Sequence, residues 1–174
     1  MFRSHFAKFS LAFVSCLLIR LIPFRPPNVE PILATQMPFA KRLGAWGGFL
    51  FAFLNIVLFD VITLKVGWWT IVTALTYGVL GIFSALYFRG RSGVRHYALF
   101  AVAGTLFYDA VTGLGIGPLF YGQPFMEAFI GQIPFTIMHL SGNIAFAVFL
   151  SPLVDRWIVS NKKLEFSYSQ AFAR

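Results

Sequence analysis

Residues 45–63, AWGGFLFAFLNIVLFDVIT, and residues 68–88, WWTIVTALTYGVLGIFSALYF, decide what kind of protein this is. Each run is long enough to cross about 30 Å of hydrocarbon as a helix, which takes roughly 20 residues. Together they hold one charged residue, Asp60, and only Leu64–Gly67 separates them. Working outward, the same texture fills the chain of 174 residues, 58% hydrophobic and 11% charged. A soluble domain of this length has too much surface for its volume to hide that apolar content, whereas a bilayer acts as its solvent.

Upstream, residues 6–24 form an apolar run interrupted by Arg20, followed by Arg25-Pro26-Pro27-Asn28-Val29-Glu30-Pro31. Three prolines remove backbone donors and fix φ, so this stretch is not continuous helix, and Pro31 is placed to open the next one. That helix, 30–42, reaches only to Lys41-Arg42 and is short for a span; a tight turn at Leu43-Gly44 leads into 45–63. Downstream, a basic loop at 89–95 precedes a run at 97–112. Residues 113–127, rich in Gly, Pro and aromatics, read as a loop. The last run, 128–157, contains Pro134, where a kink or break is expected, and 160–174 reads as a short cytoplasmic tail. The first run opens with Arg3 and Lys8 as a signal peptide does, but it ends in Arg20 and prolines without a small-x-small site, so it reads as a retained helix. The expectation is an all-α membrane protein, one compact bundle of about six transmembrane helices with both termini cytoplasmic.

Charge sets the direction. With the N-terminus inside, 11 of the 14 bases fall on the cytoplasmic side and only Arg20, Arg25 and Lys65 outside, which obeys the positive-inside rule with an even number of spans in a cell membrane. The net charge of +8 therefore suits cytoplasmic loops and lipid headgroups rather than nucleic acid. Four of the six acids, Glu30, Asp60, Asp109 and Glu127, gather at the outer ends. Acids contribute little to topology, so a site opening outward is the natural reason for their grouping.

The polar groups inside the apolar frame carry two readings each. Asp60-Val61-Ile62-Thr63 and Asp109-Ala110-Val111-Thr112 end two ascending helices, and Gln36 and Gln132, each two residues before a proline, enter two descending ones. The aspartates either line a ligand site, because carboxylates in a membrane are costly unless they are used, or cap loops and pair with Lys65 and Arg25. The glutamines either face the same site or satisfy backbone groups freed by the prolines. His139 and Asn143, one helical turn apart, either bond between helices or line a pocket. Trp68, Trp69, Tyr121 and Phe125 read as an interfacial belt. Small residues every fourth position (Ala40, Gly44, Gly48, Ala52; Gly81, Ala85; Ala12, Cys16) indicate close helix contacts, within the chain or with a partner. No metal-ligand spacing, nucleophile motif or nucleotide cradle is present. The chain is therefore read as a non-enzyme that needs no cofactor, and any ATP-driven work would need another subunit.

The outer loop at 25–31, the pattern Asp60-x-x-Thr63-x-x-x-Gly67-x-Trp69-Thr70 leading to Tyr77-Gly78-x-x-Gly81, and the final helix from Gly131-Gln132-Ile133-Pro134-Phe135 through His139 to Asn143 resemble the substrate-binding S components of energy-coupling factor transporters. The resemblance implies capture of a vitamin-like micronutrient near the outer side, and a membrane coupling subunit carrying two cytoplasmic ATPases as partner. It implies substrate contacts among Asn28, Glu30, Gln36, Asp60, Thr63, Trp69, Asp109, Thr112, Gln132, His139 and Asn143, with Ala12 and Cys16 docking the coupling subunit. Two other functions stay open: a scaffold of the same fold with a filled core, and a proton-coupled carrier titrating Asp60 or Asp109.

Overall fold

The computed structural model describes residues 2–24 and 29–161, with side chains from Ala7 onward. Asn28, Arg25 and most of the 160–174 tail lie outside the described residues. Among those described, the chain is helical without a strand: α1 (Phe2–Arg20), α2 (Ile32–Ile62), α3 (Trp68–Tyr87), α4 (Val94–Asp109), α5 (Ile116–Tyr121) and α6 (Phe125–Leu153). Four segments, Ile32–Ile62, Trp68–Tyr87, Val94–Tyr121 and Phe125–Val159, are long and apolar enough to cross a membrane. This is a multi-pass membrane protein.

α2 is not one straight rod. Gly44 has φ 78° and ψ −171°, a backbone state that a side chain disfavours, and the chain folds back there. Phe39 and Phe51, twelve residues apart, stack with centroids 5.2 Å apart, whereas on a straight helix they would stand about 18 Å apart. The turn expected at Leu43-Gly44 is thus present. The first arm, residues 32–43, is also about 18 Å long, too short to span alone, and residues 31–40 are all buried. Buried on every side, it has no need of a lipid-facing stripe.

The close contacts follow the small residues. A Cβ on Gly81 would overlap the carbonyl of Gly48, so α3 and α2 touch backbone to backbone. Gln36 seals the same contact: its Nε2 donates to the Gly48 carbonyl (3.1 Å) and the Tyr77 carbonyl (2.7 Å). Ala12 and Cys16 are also buried in the core with Phe39 and Phe51. Both residues, expected to dock a coupling subunit, face their own bundle.

Two other expectations change. Residues 113–127 are not simply a loop: the fifth run continues through a π-helical turn (Ala110–Gly115) into α5. Pro118 sits in the first turn of α5, just past the point where the chain leaves the π-helical turn. The last helix runs through Pro134 without interruption, and its departure from α-helix comes later, at Val154–Val159 beyond Pro152.

The bundle has two distinct ends. At one, Lys8 Nζ donates to the Val159 carbonyl (3.0 Å), and Asp155 accepts from Lys41 Nζ and the Tyr97 hydroxyl (2.8 Å each). The other end gathers Arg20, Glu30, Asp60 and Trp69 around a cavity.

Candidate functional site

The cavity holds about 200 Å³ and draws on nearly every long helix. Ile56, Phe59 and Asp60 share one face of α2 by their i, i+3, i+4 spacing, and Trp69, Thr73 and Tyr77 share one face of α3 at i, i+4, i+8. Phe135 and His139 do the same on α6, Tyr108 comes from α4, and Arg20 and Glu30 flank the loop between α1 and α2. Five aromatic rings (Phe59, Trp69, Tyr77, Tyr108 and Phe135), one guanidinium, two carboxylates and an imidazole therefore share one space.

Arg20 is buried and firmly held. Its Nη1 donates to the Asn55 carbonyl (2.7 Å), Nη2 lies 3.5 Å from Glu30 Oε2, and the guanidinium stacks on Phe59 at 4.1 Å. Its Nε has no hydrogen-bond partner among the described residues. A planar cation with two filled donors and an aromatic floor keeps one geometry, so it can orient a ligand instead of wrapping around one. Asp60 accepts a hydrogen bond from Thr70 Oγ1 and is partly exposed.

His139 is the hinge of the other wall. Its Nδ1 lies 2.7 Å from Asp109 Oδ1 and its Nε2 3.4 Å from the Tyr77 hydroxyl. The short contact assigns Nδ1–H as donor to the carboxylate, which directs Nε2 toward Tyr77. Tyr108 and Phe135 meet the imidazole edge to face at 5.3 and 5.7 Å, and Tyr77 and Tyr108 stand 4.6 Å apart. This packing fixes the ring planes that a flat ligand would meet.

Of the residues singled out in the sequence, Glu30, Asp60, Trp69 and His139 line this cavity. Thr63 lies beside it, on a neighbouring pocket shared with Arg20 and Lys65. Asp109 reaches the cavity through His139. The others are elsewhere. Gln36 bonds backbone between helices, and Asn143 Nδ2 donates to Thr105 Oγ1 (2.8 Å) across the α4–α6 contact. Thr112 returns its hydroxyl to the Tyr108 carbonyl, and Gln132 lies on a different, apolar pocket. Buried amides in a membrane bundle must find partners inside it, and these found helices. The sequence reading missed Arg20, Tyr77, Tyr108, Thr73 and Phe135. Arg20 alone carried a signal, as the one base inside an apolar run at the acid-rich end.

No set of three or more His, Cys, Asp or Glu side chains able to hold a metal occurs among the described residues. Compared with known proteins, the chain matches no family model, no curated protein and no solved structure.

Proposed function

We propose that this chain is the membrane-embedded capture subunit of an uptake system, binding a small micronutrient in the cavity at its acid-rich end. In this reading the bundle makes six passes, counting α1 and both arms of α2, the short first arm crossing inside the bundle among its neighbours and not through lipid. Both termini are cytoplasmic, because that orientation keeps most bases inside, and the cavity opens outward from a cell membrane. The observation that carries the proposal is the joining of Arg20, Glu30, Asp60 and His139 with five aromatic rings in one cavity. Charged groups are costly in a membrane bundle and mark ligand paths when they surround a space.

The cavity also limits the cargo. At about 200 Å³ it suits a molecule smaller than the occupants of typical ligand pockets of about 300–1,000 Å³, and its aromatic walls suit a ring. Two carboxylates against one guanidinium favour a neutral or singly cationic molecule. A motor must come from elsewhere, since the sequence has no nucleotide cradle; a coupling subunit with two ATPases fits the resemblance noted above. A scaffold with a filled core is disfavoured by the cavity itself.

The test is extraction of small molecules from protein purified in mild detergent, followed by mass spectrometry. A ring-bearing molecule of net charge zero or plus one should be recovered from the native chain and lost from Asp60→Asn and Tyr108→Ala. Equal recovery from both variants would place binding elsewhere. The buried Asp109–His139 pair supports a second reading, a proton-coupled carrier. That reading requires accumulation of the recovered molecule by the chain alone in liposomes under a pH gradient; a capture subunit accumulates none.

A further inference from the structure

A second, larger cavity of about 340 Å³ lies in the seam between α4 and α6. It is built where α4 passes into its π-helical turn, and Ala110 and Leu114 of that turn form part of its wall. Leu106, Phe129, Ile133 and Ile137 on its rim are exposed, so in a bilayer the seam opens sideways to lipid. Phe129 to Ile137 lie roughly 6 to 18 Å along α6 from its Phe125 start. The wall is apolar apart from Asp109, Gln132 and Thr136.

Asp109 makes this more than a lipid-filled crevice. Its side chain is 3% exposed, Oδ1 is taken by His139, and buried Oδ2 has no hydrogen-bond partner among the described residues. An acceptor in that state lowers its free energy by taking a donor. Beside it, a Cβ on residue 113 would overlap Gln132 Oε1, so glycine there is what lets the Gln132 side chain lie along the turn. Gln132 Nε2 donates to Thr136 Oγ1 (3.2 Å), which spends a donor and leaves the wall rich in acceptors.

We propose that this seam is a lateral binding site for a small amphiphile entering from the bilayer, with an apolar chain and one hydrogen-bond-donating head, hydroxyl or ammonium. The volume takes about ten heavy atoms. Anionic heads are excluded by the carboxylate. The site is separate from the outward cavity, but the two share a wall: Asp109 belongs to one, and its partner His139 to the other.

The experiment places the whole chain in phosphatidylcholine nanodiscs with a photoactivatable diazirine alkanol of about ten heavy atoms, and labelled peptides are mapped by mass spectrometry. Labelling should concentrate on the Leu106–Leu114 and Phe129–Ile137 segments. Excess decanol or decylamine should displace it roughly tenfold better than decanoate, the scale of one hydrogen bond to a charged group. Ile133→Trp, a substitution at an exposed rim position, should fill the seam and abolish the labelling without unfolding the chain. Label spread evenly over lipid-facing residues, equal displacement by decanoate, or labelling unchanged in Ile133→Trp would each overturn the proposal.

Discussion

The two ends of the bundle are made from the same kinds of side chain and use them differently. At the Lys8 end the charges that turn inward meet partners: Lys41 and Tyr97 converge on Asp155, and Lys8 reaches the Val159 carbonyl. At the Arg20 end the charges stand around a cavity, and Arg20 Nε and Asp109 Oδ2 lack hydrogen-bond partners among the described residues. Polar groups in a membrane bundle are retained either as internal glue or as a surface for something that arrives. The Lys8 end is glue. The Arg20 end is the one proposed to receive a ligand.

The difference can be broken most severely at Arg20. Arg20→Ala removes a buried cation from beside Glu30 and the Asn55 carbonyl. It should cost about 3 kcal/mol of stability, read as a lower midpoint in denaturant titration of the micellar protein, and ligand recovery should fall with it. Gly81→Val tests the contact that holds both ends in register. The added side chain must push α3 off α2, costing about 2 kcal/mol, with cavity residues disturbed as a consequence and not directly. Asn143→Ala deletes one interhelical bond to Thr105 and should cost about 1 kcal/mol in the same titration, leaving ligand recovery intact because Asn143 is off the cavity. The smallest effect belongs to the closed end. Lys41→Met removes a partly exposed ion pair to Asp155 and should change stability by about 0.5 kcal/mol, with no effect on binding.

Those contrasts also explain what could be read from the sequence. The helices were legible because a bilayer forces every backbone group into internal bonds, so uncharged runs between basic loops leave few alternatives. The Gly44 turn was legible too, from two basic residues and a glycine between apolar runs. Residues 116–121 were not, since Gly and Pro there carry a loop signature although the helix runs on through them. The site was half legible. Acids stood out against an apolar background, and Glu30, Asp60 and His139 do surround the cavity. Tyr77 and Tyr108 were hidden because in a chain that is 18% aromatic a buried tyrosine looks like core. Gln36 and Asn143 each carried two readings, and the bond between helices is the one built, since a lone amide in a helix shows its role only once its partner helix is seen.

The most direct test of the account asks from which side the open end is reached. Thr73 lines the cavity and Arg91 lies in the basic loop at the opposite end. In a Cys16→Ala background, Thr73→Cys and Arg91→Cys are each exposed in intact cells to a membrane-impermeant maleimide. The account predicts labelling of the Thr73→Cys protein from outside, and of the Arg91→Cys protein only after the membrane is permeabilised. Labelling of Arg91→Cys in intact cells, with Thr73→Cys protected until permeabilisation, would contradict it.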